Sequence, residues 1–462
     1  MRAHMQDLHV TQENAVFLTD FYELTMAAAY WSNQITGMAA FELYFRRLPV
    51  RRSFVLAAGL EQALQYICNV RFTQEQIAWL KRQKQFEEVP SGFFEYLADF
   101  RFTGEVWAMP EGTPVFPLEP MLQVHAPIIE AQILETYLLS MINMQSMIAT
   151  KAARVVRAAG GRGVIDFGSR RAHGPQAGLL AARASYIGGC LGTSNVLAGY
   201  LCGIPVFGTA AHSFTMAFPT ELDAFRAYHA VFPHNTVLLI DTFDTIGAAR
   251  KVREAGADIV AVRIDSGNLQ ELSREVRRIL DEDGLHSVKI FVSGDLNEYK
   301  IQELVARGAP IDYFGVGTEL VTSYDDPALS GVYKLVQTTV EGREVGAFKT
   351  SPGKISYPGR KQVYRFKQNT SYSHDQVCLF DERMPSFGSP LLRCYVRDGK
   401  LIEELPTVVE ARRKTEQDLA QLPEVFHSLS SVEDYPVVFS QGLRAKLAEQ
   451  VSGGGRPWPP SQ

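Results

Sequence analysis

The sequence predicts an α/β protein, an α+β antiparallel-sheet unit joined to a parallel one, and three observations carry that expectation. From about residue 160 short apolar runs alternate with alanine- and leucine-rich helical stretches, the rhythm of a parallel sheet. Before residue 145 alternating strands mix with capped helices, and from 333 to 405 strand patterns recur with no helices between them. The expected units are residues 1–145, an N-terminal α+β domain, and 146–332, the parallel α/β unit. Residues 333–405 would be strands returning to the N-terminal sheet, and 406–462 a helical extension. The alternation itself leaves a closed (β/α) barrel and an open doubly wound sheet equally available.

The elements follow in order. Thr19 or Asp20 would cap a helix carrying Phe21, Leu24, Ala28 and Trp31, with Tyr22 off its apolar stripe. Residues 40–46 alternate as a strand with Phe41, Leu43 and Phe45 inward. Thr73 and Gln76 form a capping-box start for a helix over 74–83. Short strands are expected near 105–109, 114–117 and 121–125, and Pro127, at an N1-like position, opens a long helix with Ile129, Ile133, Tyr137 and Met141 at helical spacing.

In the parallel unit, strands are expected at 164–167, 205–207, 237–240, 259–264, 288–292 and 313–316. Helices are expected at 176–186, 195–201, 244–255, 269–280 and 297–306; the last three each have a polar N-cap candidate and a glycine beyond the end. The later strands fall near 332–338, 344–349, 362–366, 377–380 and 392–396. Residues 407–446 read as polar helices broken near Pro423 and Pro436, and the last ten residues as a disordered tail.

Bulk properties narrow the function. The 462 residues are 46% hydrophobic and 21% charged, with a net charge of −5, so no nucleic-acid or membrane surface is indicated. Five scattered cysteines without C-x-x-C spacing argue against a disulfide framework or zinc site and suit a reducing cytoplasm. The N-terminus has no apolar signal region, and no apolar run is long enough to span a bilayer, so a cytoplasmic location is expected.

Chemistry in α/β enzymes gathers just past the C-terminal ends of the strands. Those positions hold Arg170 and Arg171, Thr209 and His212, Asp241 and Asp244, Arg263, Asp265, Ser266 and Gly267, then Ser293, Gly294 and Asp295, and finally Gly315, Gly317 and Thr318. Glycines there let backbone N–H groups approach an anion, arginine supplies bidentate contacts to carboxylate or phosphate, and clustered acids suit Mg²⁺. The residues alone thus describe a site for a phosphorylated, anionic substrate with Mg²⁺, and His212 is its most reactive group. Each also has an ordinary reading: a satisfied polar histidine at 212, a helix N-cap at Ser194, sheet core at Phe167, surface or interface at Tyr22.

Over residues 14–440 the chain resembles the nicotinate phosphoribosyltransferase family. The resemblance rests on F-L-T-D-F-Y-E-L-T-M at 17–26, E-G-T-P-V-F-P-L-E-P at 111–120, I-A-T-K-A-A-R at 148–154 and D-F-G-S-R-R-A-H-G at 166–174. It continues in Y-I-G-G-C-L-G-T-S-N at 186–195, G-T-A-A-H-S-F at 208–214, V-R-I-D-S-G-N at 262–268, V-S-G-D at 292–295, F-G-V-G-T at 314–318 and Y-P-G-R-K-Q-V-Y-R at 357–365. It implies an irregular (β/α) barrel beside the N-terminal sheet domain and a homodimer with shared active sites. The implied reaction joins nicotinate to 5-phosphoribosyl 1-pyrophosphate, in an ATP-dependent, ligase-type transfer serving NAD biosynthesis.

The resemblance also implies roles. His212 would take the γ-phosphate of ATP, and Asp265 and Asp295 would hold ribose hydroxyls or the waters of Mg²⁺. The pyridine would lie between Phe167 and Tyr22 of the second subunit, its carboxylate near Arg263, Arg170 and Thr209. Ser194 stands where related nicotinamide enzymes carry an acid, and a neutral hydroxyl there favours the carboxylate substrate over the amide. Ser266, Gly267, Gly294, Gly315, Gly317 and Thr318 would cradle the 5′-phosphate, with Lys334 a further candidate. The alternatives are a nicotinamide- or quinolinate-specific transferase, and a non-catalytic relative that senses a phosphosugar.

Overall fold

The computed structural model describes residues 8–349 and 356–452; the stretch read as a C-terminal tail lies outside them. A seven-stranded sheet, antiparallel in each pairing, is built around Met38–Phe45, which pairs with Leu122–Pro127 on one side and Gly331–Val340 on the other. Arg393–Arg397 joins the same sheet beside Glu105–Ala108, so strands from beyond residue 330 complete both flanks. Phe41, Leu43 and Phe45 face a large apolar core as the alternation indicates. Glu42 and Tyr44 are buried as well, because Lys361 and Gln123 cover the other face and bond the Glu42 carboxylate, Lys361 at 2.8 Å. Among the described residues, Lys361–Gln368 and Ser371–Leu379 leave that sheet and form their own with Ser389–Pro390 and Val437–Phe439. A strand at 437–439 replaces the helix expected there: Pro436 stops the helix but offers its carbonyl to Asp375, which seeds pairing with Ser371–Leu379.

The parallel sheet has six strands, in the spatial order Gly192–Thr193, Gly163–Asp166, Tyr313–Val316, Lys289–Val292, Ala261–Ile264 and Val237–Leu239. It curls without its edge strands pairing, so the described residues form an open half-barrel and not a closed one. The strand expected at 205–207 shrinks to one bridge, Val206 to Thr193, because its neighbour Gly192–Thr193 is itself only two residues long. Helices cross between strands where polar caps start them: Asn195, Asp244, Asn268 and Asn297 each accept a backbone N–H. The helix expected over 244–255 is two short ones, Thr245–Ala249 and Val252–Ala255.

The two sheets are joined by helix Glu135–Ala158. Pro127 is the N-cap of a separate short helix, Ile128–Gln132, and not the first residue of the long one. On the long helix the I-A-T-K-A-A-R stretch places Lys151 and Arg154 on one face, where both pair with the fully buried Glu298, Lys151 at 2.6 Å and Arg154 at 3.1 Å. Lys151 also reaches Asp325 at 2.9 Å, and Arg52 meets the same carboxylate at 3.1 Å. Removing one member would strand buried charge, which typically costs about 3–5 kcal/mol. No helix among the described residues is long and apolar enough to cross a membrane.

Candidate active site

Because Gly163–Asp166, Tyr313–Val316, Lys289–Val292, Ala261–Ile264 and Val237–Leu239 are parallel neighbours, their following loops emerge along one rim. The rim is organised by Arg263 and Asp265. Two residues apart near the end of one strand, they share a face and pair at 2.6 Å. The Arg263 guanidinium also donates to Ser293 Oγ at 2.9 Å and Thr209 Oγ1 at 2.7 Å, and lies 5.4 Å from the centre of the Phe167 ring. Ser293 donates in turn to Asp265 Oδ1. Four loops are thereby tied to one cation.

His212 opens a short helix, His212–Met216, and is 40% exposed. Its Nδ1 is 3.2 Å from Thr242 Oγ1, and its Nε2 stands 3.9 Å from Asp265 Oδ2. Thr242 thus engages one ring nitrogen and leaves the other toward the rim and open to solvent. Asp241 Oδ2 accepts from the Asp265 backbone at 3.0 Å and from Ser266 Oγ at 2.7 Å, holding that loop; its Oδ1 is buried without a partner.

The floor is Phe167, 8% exposed and packed against Phe291 with ring centres 5.3 Å apart. Gly315 is glycine because an added Cβ would lie 2.8 Å from the Phe167 ring. Gly294 has φ of +102°, and a Cβ there would meet the Asp265 carbonyl at 2.2 Å. Gly317 caps the helix Thr318–Val321, whose leading N–H groups suit an anion. Behind Phe167, the buried Asp166 accepts from Thr193 Oγ1 at 2.7 Å and from the Gly168 backbone at 2.8 Å; burial pushes its carboxyl up against those two bonds.

Other expected residues share no hydrogen bond or ion pair with Arg263, Asp265 or His212. Arg170 is exposed and has no hydrogen bond or ion pair to another described residue. Asp295 is exposed, with φ of +45°, and only its carbonyl is engaged, by Lys300 at 2.6 Å. Tyr22 is 45% exposed on helix Phe21–Ser32, and its interactions are with Glu135, Glu23 and Asp20 of the N-terminal unit. Lys334 lies 3.8 Å from Glu135, in the same neighbourhood. Ser194 is not a helix cap: Asn195 takes that role by accepting from Ala198 N–H, leaving the half-buried Ser194 hydroxyl free of it. Asp244 is a cap, which accounts for its polarity.

Two participants went unassigned in the sequence reading. Ser293 stood on the strand-end list without a role, and its bridge between Arg263 and Asp265 depends on the register of adjacent strands. Thr242 carried no signal, since a threonine after a strand is ordinary. Among the described residues no group of three or more His, Cys, Asp or Glu side chains is placed to hold a metal ion.

Family profiles cover this architecture in three parts: the nicotinate phosphoribosyltransferase N-terminal domain over residues 17–143, the nicotinate phosphoribosyltransferase family over 163–379, and its C-terminal domain over 387–447. The chain is 45% identical over 447 residues to nicotinate phosphoribosyltransferase pncB2 of Mycobacterium tuberculosis (strain ATCC 25618 / H37Rv), covering 95% of this chain and 94% of that one. It is 39% identical over 466 residues to the Bacillus subtilis (strain 168) nicotinate phosphoribosyltransferase, covering 94% of each. The crystal structure of human nicotinic acid phosphoribosyltransferase superposes with a TM-score of 0.82 at 30% identity, over 93% of this chain and 99% of that one. Family profiles along most of the chain, relatives 45% and 39% identical over almost its whole length, and the fold shared with the human structure place the chain in the nicotinate phosphoribosyltransferase family.

Proposed function

We propose that the chain transfers the phosphoribosyl group of 5-phosphoribosyl 1-pyrophosphate to nicotinate, releasing pyrophosphate and nicotinate mononucleotide for NAD biosynthesis, with ATP hydrolysis coupled through His212. Family membership supports the transfer. The observation that carries the coupling is the orientation of His212: Thr242 Oγ1 engages Nδ1 and Nε2 faces the rim beside Asp265, and in the tautomer where Nδ1 donates to Thr242, Nε2 holds the lone pair a nucleophile needs. Nε2 would attack the γ-phosphorus, forming the N–P bond as the bond to ADP breaks; water later cleaves N–P and releases phosphate.

In the transfer step the ring nitrogen of nicotinate forms a bond to the ribose anomeric carbon as the carbon–oxygen bond to pyrophosphate breaks. Positive charge grows on the ribose, and Asp265 and Asp295 are the carboxylates that would face it. The Arg263 guanidinium would meet the substrate carboxylate above Phe167, and the neutral Ser194 adds no repulsion. Gly294, Gly317 and Thr318 would offer N–H groups to the 5′-phosphate, with Ser266 and Gly267 beside them.

The residues present suit Mg²⁺. Asp241 has a buried oxygen without a protein partner and Asp265 Oδ2, 3.9 Å from His212 Nε2, accepts no hydrogen bond among the described residues, and Mg²⁺ is ordinarily held by one or two carboxylates plus waters and phosphates. Bound there, the ion would neutralise the charge of pyrophosphate.

A second copy of the chain is the partner that fits. Helix Val196–Cys202 turns Val196, Leu197, Tyr200 and Leu201 outward at 72%, 51%, 83% and 59% exposure, next to the rim, an unusually apolar face to leave in water. Tyr22, whose interactions are with Glu135, Glu23 and Asp20 and not with the rim of its own chain, would complete the partner's site in such a dimer.

The test is labelling by γ-phosphate-tagged ATP in wild type and His212→Asn, alongside nicotinate-dependent pyrophosphate release. Acid-labile label on the wild type alone, with release stimulated by ATP, is the expected result. Equal label on both proteins moves the phosphoryl acceptor elsewhere, and no label with no release removes the enzyme reading.

A further inference from the structure

A cavity of about 510 Å³ lies at the other end of the parallel sheet, where strands Gly163–Asp166 and Gly192–Thr193 begin, enclosed by helix Glu135–Ala158 and helix Val408–Gln421. That volume is in the usual range for small-ligand clefts, about 300–1,000 Å³. None of the rim residues described above lines it. Its walls carry five arginines and two glutamates; Arg157 and Arg412 pair with Glu424 and Glu416, Arg52 and Arg154 with Asp325 and Glu298 behind the wall, and Arg162 has no carboxylate partner among the described residues.

Several of those guanidinium groups are incompletely used. Arg52 is 1% exposed, yet its Nε has no partner, and the buried Nε of Arg412 has none either. Arg157, half exposed, holds only Glu424, and Arg162 donates to the Ile311 and Ala159 carbonyls through Nε and one terminal nitrogen, leaving the other. Buried donors without acceptors are costly, and the free Nε groups of Arg52 and Arg412 together with Arg162, which bonds only carbonyls, offer donors and one uncompensated charge to an anion. Between the cationic walls the lining is apolar and partly aromatic, from Phe54, Phe426, Leu419 and Val156, with Phe54 and His427 meeting edge to face at 6.3 Å. A bare anion would leave that floor unused, whereas a flat ring bearing a phosphate would satisfy both surfaces.

The wall also reaches the rim. Arg52 and Arg154 belong to the buried ion network of Lys151, which meets Asp325 at 2.9 Å and Glu319 at 4.0 Å. Glu319 follows Thr318 in the helix capped by Gly317, the proposed phosphate cradle. The geometry points to a second ligand site, for a nucleoside phosphate, whose occupancy is passed through Lys151 and Glu319 to the cradle at Gly315–Thr318. Its effect on turnover rests on the transfer reaction proposed above; its binding does not.

Calorimetric titration of the full chain with AMP, and separately with inorganic pyrophosphate, tests this in wild type, in the double variant Arg157→Ala/Arg162→Ala and in Ala420→Trp. Ala420 is an exposed lining residue, so the bulky ring fills the cavity without entering the core. The expected result is AMP binding that weakens at least about tenfold in both altered proteins, the loss of one charge-assisted contact or more. AMP should also change the KM for 5-phosphoribosyl 1-pyrophosphate in wild type only, with basal turnover alike in all three. Equal AMP affinity in all three proteins overturns the site. Pyrophosphate binding as tight as AMP, with the same sensitivity, overturns the nucleoside assignment, and AMP binding with no change in KM overturns the link to the cradle. Cavity-dependent AMP binding in a protein without turnover supports the site while removing the transfer reading.

Discussion

Arg263 and Asp265 form a 2.6 Å ion pair on one face of a strand end, and Ser293 from the neighbouring strand closes the triangle by bonding to both. The arrangement fixes the guanidinium plane, which a bidentate grip on a carboxylate requires. Ser293→Ala removes two hydrogen bonds from a buried hydroxyl and leaves Arg263 Nε unpaired. We expect kcat/KM for nicotinate to fall about tenfold, mostly through KM, with a modest fall in Tm as the buried unpaired donor costs about 1–3 kcal/mol. Steady-state kinetics with nicotinate as the varied substrate checks this, and an unaltered KM would count against Arg263 as the carboxylate clamp.

On the proposed reading, Ser194 would govern the choice between acid and amide. Ser194→Asp places a carboxylate where the substrate's own is expected, and like charges brought together cost several kcal/mol. The nicotinate kcat/KM should drop on the order of a hundredfold while nicotinamide gains relative to it. Competition between the two bases in one reaction reads the ratio directly.

Gly294 has a φ of +102° and sits against the Asp265 carbonyl, at 2.2 Å from an added Cβ. Gly294→Ala pays both backbone strain and a clash with main chain, on the order of 1–3 kcal/mol. Either the loop shifts or the protein loses stability. The KM for 5-phosphoribosyl 1-pyrophosphate should rise more than that for nicotinate, and a uniform change in both would remove Gly294 from the phosphate cradle.

Glu23 gives a pH dependence of stability. Burial pushes its carboxyl up to about 7, the charge of Glu135 adds to this, and hydrogen bonds from Thr136 and Thr19 oppose it. The folded chain therefore holds this proton more tightly than the unfolded chain, whose carboxyl titrates near 4.5. The contribution to stability is fully present below about pH 4.5 and is lost as pH rises toward 7. Glu23→Gln imitates the protonated acid. Its Tm relative to wild type should climb between pH 5 and pH 7 and level off above; a constant difference would sink the assignment.

Tyr200 is 83% exposed on the apolar helix face and touches none of the rim residues. Tyr200→Glu should shift sedimentation toward monomer, and activity should fall in step with the dimer fraction, because Tyr22 would no longer reach the second site. Full activity in a monomer would refute the shared-site reading.

Much of this was legible from residue order. The alternation after residue 160, the capping residues Asn268 and Asn297 and the strand-end run of Arg263 and Asp265 are local signals, set by periodicity and by backbone groups a few residues away. The open edge of the parallel sheet was not legible, because closure depends on how far strands 192–193 and 237–239 extend, and neither is strong by itself. The strand at 437–439 was likewise missed, since its partner is some 60 residues away and no local pattern names it.

By itself, the sequence determined which side chains stand at the strand ends, because a strand's length and its following turn are encoded within a few residues. Only the tertiary structure decided what those side chains do to one another. Thr242 engages Nδ1 of His212, Ser293 links Arg263 to Asp265, and five arginines from three distant segments line one cavity. Each is a contact across strands or domains, where distances of a few ångströms follow from register and packing and not from spacing along the chain.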